Sequence, residues 1–272
     1  MSQAPTVAAV TARVEATTQV TGAFFQTRLL VPEVTVEPGQ FVQLRPRPRQ
    51  GLYPFLRVPL SVSAVDAEGG LIDVLYELVG PKTGALRALG VGDEVGFLGP
   101  LGKPFPVPSA GTTPILVGGG IGVPPLIYFG TCLRAADRDP ILVVGARSSD
   151  KHLPDGLLEP ASSQIRRATD DGSLGHNGLV TDLLEQALGA SLTAPVVYTC
   201  GPHGMMAAVA RLCARRDVPC FASLEAYMAC GIGVCVGCVV ERADKDSQPS
   251  ADGHYARVCV DGPVFDAQEI VW

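Results

Sequence analysis

Pro114-Ile115-Leu116-Val117-Gly118-Gly119-Gly120-Ile121-Gly122-Val123-Pro124-Pro125-Leu126 is the stretch whose reading decides the fold. Its first four residues are apolar without alternation, the pattern of a strand buried on both faces. The glycines then make a tight turn, and the two prolines fit the first turn of a helix, where N–H groups are spare. A strand that turns at once into a helix can present those N–H groups and the helix dipole to a pyrophosphate. Val123 stands where the third glycine of a G-x-G-x-x-G fingerprint would be, so two readings stay open here: a nucleotide-phosphate site and a plain tight turn.

Downstream, the helical stretch runs to about Ala136, and Ile141–Gly145 and Gln164–Thr169 read as further buried strands. Gly178–Leu188 reads as a helix, Val196–Cys200 as a strand and Met205–Arg215 as a helix. Strands alternating with helices define a doubly wound parallel sheet. Thr199-Cys200-Gly201-Pro202 then falls at the carboxyl edge of a strand, where such sheets bind ligands. The plainer reading is a strand stopped by Gly-Pro, with Cys200 a small buried residue. Gly118, Gly119, Gly120, Gly122, Cys200, Gly201 and Pro202 are the candidate nucleotide-binding residues. Arg147, after the second strand, faces either the ribose or its 2′-phosphate, or solvent.

Upstream, from Val7 to about Pro106, the chain breaks into short alternating segments punctuated by Gly and Pro. Val7–Thr17, Phe24–Leu30, Gln40–Leu44, Pro59–Val65, Leu71–Val79 and Val95–Leu98 read as strands, with a short helix at Leu86–Leu89 and an exit linker from Gly99 to Pro104. Many short strands without helical periodicity predict a small antiparallel barrel.

Near the C-terminus lies Cys230-Gly231-Ile232-Gly233-Val234-Cys235-Val236-Gly237-Cys238, followed by Cys259. C-x4-C-x2-C with a distant fourth cysteine is the spacing by which plant-type ferredoxins hold a [2Fe–2S] cluster, making Cys230, Cys235, Cys238 and Cys259 the candidate ligands. Gly231, Gly233 and Gly237 let the loop curl close to iron. A four-thiolate zinc site, buried cysteines and a disulfide pair are the competing readings. The module is too short for a large core, and a cluster would provide the missing fold energy. Its polar insert, Glu241–Gly253, reads as a mobile surface loop.

The 272 residues exceed a usual single domain. They divide into a barrel over 1–106, a parallel α/β domain over 107–222 and a cluster module over 223–272. The apolar fraction of 47% provides ample core, and a net charge of −6 leaves no global basic field for nucleic acid or an anionic membrane. Met1–Val20 has no apolar h-region, and no run of about 18 apolar residues occurs. A soluble, cytoplasmic protein is expected. Eight cysteines in a reducing compartment agree with metal ligation rather than disulfides.

A nicotinamide exchanges two electrons as hydride, whereas a [2Fe–2S] cluster passes one at a time. A flavin converts between them, and the barrel is the natural flavin holder. Over nearly its full length the chain resembles the electron-transfer subunits of NAD-linked (type B) dihydroorotate dehydrogenases, within the ferredoxin reductase-like flavoproteins. The resemblance rests on Gly99-Pro100-Leu101-Gly102, Val117 to Leu126, Cys200-Gly201-Pro202, Leu224-Glu225, Met228 to Gly233 and Val258 to Phe265.

It implies FAD on the barrel, NAD on the sheet domain, and a [2Fe–2S] module abutting a partner that carries FMN and oxidises dihydroorotate, in a heterotetramer of two copies of each chain. It further implies flavin contacts from Pro59, Leu60, Ser61, Leu75, Tyr76 and Thr83, with Arg57 and Lys82 as candidate cations. Val58 stands where the family has an arginine, Glu77 where it has arginine after tyrosine, and Lys82 before Thr83 where it has glycine. A carboxylate beside a pyrophosphate is unfavourable, so either Lys82 compensates or FAD binds weakly. A reductase subunit of another ferredoxin:NAD(P) or hydrogenase system, and a flavin-free iron–sulfur sensor or scaffold, are the alternative functions.

Overall fold

The computed structural model describes residues 7–46, 55–66, 68–243 and 254–272. Six strands come first: β1 (Ala8–Gln19), β2 (Phe24–Leu30), β3 (Phe41–Pro46), β4 (Val58–Asp66), β5 (Leu71–Glu77) and, after helix α1 (Pro81–Arg87), β6 (Glu94–Leu101). They close into an antiparallel barrel in the order β1-β2-β5-β4-β3-β6. Alternation fills its interior with Val14, Leu29, Val42, Leu44, Val62, Val74 and Phe97, all fully buried.

Two barrel details differ from the sequence reading. α1 begins at Pro81 rather than Leu86, because the Thr83 hydroxyl accepts the N–H groups of Val79 and Gly80 and so starts the helix early. Gly99-Pro100-Leu101 continue β6 rather than forming a linker; the ladder to β3 shifts register between Phe41 and Gln43, and this bulge accommodates a residue that lacks an N–H.

The second half contains β7 (Thr113–Gly119), α2 (Val123–Ala135), β8 (Ile141–Ala146), α3 (Asp155–Leu158), β9 (Gln164–Thr169), β10 (His176–Asn177), α4 (Val180–Leu188), β11 (Pro195–Cys200), α5 (His203–Arg215) and β12 (Cys220–Ser223). The tail adds β13 (Val239–Glu241), β14 (Tyr255–Arg257) and β15 (Val264–Asp266). Seven strands form one sheet, β10-β9-β8-β7-β11-β12-β15. Six are parallel, as expected of a doubly wound sheet, and β15 runs antiparallel to β12 at the edge. Ile115, Val117, Val143 and Val197 pack under α4 and α5; Leu116, Leu142, Val144 and Tyr198 pack under α2. The boundary expected after residue 222 therefore falls within β12, a strand whose neighbour β15 belongs to the cluster module. Residues 244–253 of the expected polar loop lie outside the described residues.

His152 is buried between α3 and β9, with Nε2 3.0 Å from the Ala168 carbonyl oxygen. Burial holds its pKa below the ordinary 6.5, the carbonyl opposes this, and nearby Arg167 reinforces it. The unfolded imidazole thus takes up a proton before the folded one does. Stability is unaffected well above pH 6.5 and falls as pH drops through and below that value. A His152→Gln chain is expected to show a flatter denaturation midpoint between about pH 7.5 and 5.5 than the wild type. Parallel curves would remove His152 as the cause.

Candidate redox sites

The carboxyl ends of the sheet open into a cleft of about 650 Å³. Gly119, Gly120, Gly122, Gly201 and Pro202 form its floor. Of the other two nucleotide candidates, Gly118 lies behind the wall against Val123 and Leu126, and Cys200 is buried. Gly120 has a φ of +54°, with open space where a side chain would project. Gly122 is glycine for a different reason: a Cβ there would stand 2.4 Å from the Gly201 backbone. The two strand-end turns therefore pack backbone to backbone, which closes the floor.

The walls combine residues that the sequence reading weighed, such as Arg147, with others that it passed over. Asp170 follows β9 at the same carboxyl edge, so the rule that singled out Gly201 would also have found it. Arg147 lines the cleft, as does Glu225, whose carboxyl is pushed up by desolvation. Burial, then the neighbouring Glu225, drive the Cys200 thiol well above its ordinary value, so it stays protonated. The barrel closes the cleft with Phe24 and Glu77. Glu77 is 3.1 Å from Lys151 Nζ, an ion pair joining barrel to sheet domain. The carboxylate that looked unfavourable beside a phosphate is thus neutralised by a lysine 74 residues away.

On the barrel, the antiparallel register Gln43↔Pro59 and Phe41↔Ser61 puts these four side chains on one face. Val58 and Val62 point the other way into the barrel core, so Pro59 and Ser61 face outward. Leu60 packs partly against that core. Arg57 shares the outward face. Its Nη1 is buried without a partner among the described residues, and burial, then Arg45, lowers its pKa. A partly exposed guanidinium with one buried, unpartnered nitrogen suits an anionic ligand such as a flavin diphosphate.

Lys82 Nζ donates to the Arg57 carbonyl at 3.1 Å and fixes that turn. Leu75 is buried with the residues beneath α2, and the Tyr76 ring lies inside the barrel, its hydroxyl 3.1 Å from Thr27 Oγ1. The Thr83 hydroxyl is engaged at the start of α1.

No disulfide links any of the eight cysteines. Among the described residues, no three His, Cys, Asp or Glu side chains surround a single-ion position. The four C-terminal thiols instead interact as Cys230 with Cys235 and Cys238 with Cys259, and Cys259 also senses Cys230. Burial opposes ionisation of Cys230, but N–H groups from Cys235, Ile232 and Val234 outweigh it and bring the thiol down to about 6. Gly231 and Gly233 have φ of +72° and +83°, and Val236 adopts +52°, a costly conformation for a β-branched residue. Such strain fits a loop held by bonds to metal.

The module sits on the outer face of the barrel: Phe41 and Leu101 join the core that holds Cys238, Val258 and Cys259. Gly102 makes the joint, since a Cβ there would lie 2.3 Å from Pro263.

A flavin-type barrel, a nucleotide cleft facing it and a four-thiol loop on its other side define an iron–sulfur flavoprotein reductase of the ferredoxin reductase fold. Residues 225–271 match the family described as the iron–sulfur cluster binding domain of dihydroorotate dehydrogenase B. The chain is 35% identical over 235 residues to the dihydroorotate dehydrogenase B (NAD(+)) electron transfer subunit of Desulforamulus reducens, covering 86% of this chain and 87% of the relative. It is 39% identical over 239 residues to that of Shouchella clausii, covering 86% of each.

A solved NADH-dependent reduced ferredoxin-NADP oxidoreductase superposes with a TM-score of 0.82 at 29% identity, over 96% of this chain and 90% of that one. A ferredoxin NADP+ reductase of Neisseria gonorrhoeae with bound FAD and NADP shares the fold, with a TM-score of 0.64 at 18% identity, over 76% of this chain and 91% of that one. The chain belongs to the electron-transfer subunits of NAD-linked dihydroorotate dehydrogenase B.

Proposed function

We propose that this chain accepts electrons that an FMN-bearing catalytic partner takes from dihydroorotate and delivers them to NAD+ in pyrimidine biosynthesis. When bound, the [2Fe–2S] cluster and FAD supply the conversion between one-electron and two-electron transfer. The observation that supports it is the placement of the parts: the four-thiol loop abuts the outward face of β3, and the nucleotide cleft opens against β5 of the same barrel.

In this reading Cys230, Cys235, Cys238 and Cys259 hold the irons. Pro59 and Ser61 border the flavin, Leu60 shapes its strand and Arg57 meets its diphosphate. Leu75, Tyr76, Lys82 and Thr83 support that face from behind. Gly119, Gly120, Gly122, Gly201 and Pro202 hold the dinucleotide, with Gly118 and Cys200 backing them. The Glu77–Lys151 pair removes the repulsion that a free carboxylate would exert on phosphates.

Tyr227, Ile232, Val234 and Val236 are exposed on and beside the cysteine loop, an apolar patch suited to the catalytic partner. No helix among the described residues is long and apolar enough to cross a membrane. The barrel over 1–106, the nucleotide domain over 107–222 and the cluster module over 223–272 act together in the cytoplasm, in a chain that contributes two of the four subunits of a heterotetramer.

The test is an anaerobic visible spectrum with cofactor analysis, on the chain alone and with its catalytic partner. We expect FAD and iron on the chain, bleaching by dihydroorotate only with the partner, and recovery on adding NAD+. Bleaching by reduced ferredoxin but never by dihydroorotate would place the chain with the ferredoxin:NAD(P) reductases. Iron without flavin in both preparations would favour the sensor reading.

A further inference from the structure

Gln43 is fully buried, yet neither Nε2 nor Oε1 has a hydrogen-bond partner among the described residues. Its position explains the cost of keeping it so. On the outward barrel face it lies directly opposite Pro59 of β4 and, on its other side, Leu98 of β6, neither of which offers a polar side chain. Above it runs the cysteine loop. Gly231, next to Cys230, approaches so closely that a Cβ there would be 2.4 Å from Gln43 Nε2. The side chain therefore stands between the strand assigned to the flavin and the loop assigned to the cluster, with a spare donor against the loop. Val42 and Leu44, its neighbours on β3, face the barrel core and are satisfied by apolar packing.

We propose that Gln43 tunes the electron relay, its side-chain amide donating a hydrogen bond to sulfur of the cluster held by the Cys230 loop and so raising the cluster's reduction potential. This rests on the electron-transfer reading above. Reduction places one further electron on the cluster, and an N–H aimed at sulfur stabilises that added negative charge more than it stabilises the oxidised form. The close approach of Gly231 follows from the same need, because any side chain there would push the amide out of reach.

The experiment is a redox titration, followed by electron paramagnetic resonance of the reduced cluster, on the chain purified with its catalytic partner. Gln43→Met removes the donor at similar volume, and Gln43→Glu keeps the shape but replaces the donor with an acceptor. At unchanged iron and FAD content, Gln43→Met is expected to shift the one-electron equilibrium about tenfold toward the oxidised cluster, about 59 mV lower. Gln43→Glu is expected to shift it further, and the flavin potentials should stay in place.

An unchanged cluster potential with displaced flavin potentials would overturn the proposal and assign the amide to the flavin. No displacement of either would reduce Gln43 to filler. Iron lost from both variants would also overturn it, by making Gln43 part of the loop's fold. A wild-type chain without iron would instead fail the electron-transfer reading itself.

Discussion

Replacing Cys259 by serine is expected to strip the chain of iron and to abolish dihydroorotate-driven reduction of NAD+. Cys259 is 1% exposed, in a core shared with Val258, Ala256 and Phe265, and its thiol interacts with that of Cys238. A serine hydroxyl does not ionise near neutral pH and makes a poor ligand for iron. Losing an outer hydrogen bond around a metal typically costs 10–100-fold in affinity or activity, so losing a ligand should exceed about 100-fold. The module also loses the bonds that offset its small core, and protease sensitivity should rise within residues 225–271. Cys132→Ser, on the exposed side of α2, is the control and should retain full iron and activity. Iron and sulfide content with steady-state NAD+ reduction check both. A Cys259→Ser chain with normal iron would remove that residue from the ligand set.

Gly122→Ala is expected to destabilise the chain and weaken NAD+ binding together. Its new methyl would meet the backbone atoms of Gly201 and Cys200 at 2.4–2.5 Å, and backbone cannot rotate aside as a side chain can. Overpacking of this kind costs about 1–3 kcal/mol, and the forced separation would open the floor of the cleft. Gly120→Ala separates the two causes. It meets open space but must hold a φ of +54°, a strain of about 1 kcal/mol. Thermal midpoints and the KM for NAD+ should therefore rank wild type, Gly120→Ala and Gly122→Ala in order of growing defect. If Gly122→Ala matched the wild type, the contact between the two turns could not be what closes the cleft floor.

The features legible in the sequence were those whose physics is local. The short runs Phe24–Leu30 and Leu71–Val79, set off by Gly and Pro, read as strands, and β2 and β5 occupy them. The unbroken apolar Pro114–Val117 followed by glycines marks β7 and the start of α2. Long-range pairings leave no such local trace. β15 is three residues long and joins the sheet only because β12 leaves an open edge. The Glu77–Lys151 pair unites residues that look unrelated along the chain. Gln43 looks like any polar residue on an alternating strand, and its burial appears only once the cysteine loop lies across it. Gly99-Pro100 reads as punctuation because a bulge is a property of two strands and cannot be seen in one.

The antiparallel partnership of β15 with β12 also has a mechanical side. Phe221, Ala222 and Ser223 are laced to Asp266, Phe265 and Val264, and the C-terminal Trp272 indole donates to the Ala267 carbonyl at 2.7 Å. The cluster-bearing tail is therefore stitched into the nucleotide sheet through β15, and Pro263, the residue just before that strand, rests on the barrel at Gly102 and Lys103. The short segment Pro263–Asp266 thus touches the barrel and the nucleotide sheet alike, and it ties the stretch that carries Cys259 to both.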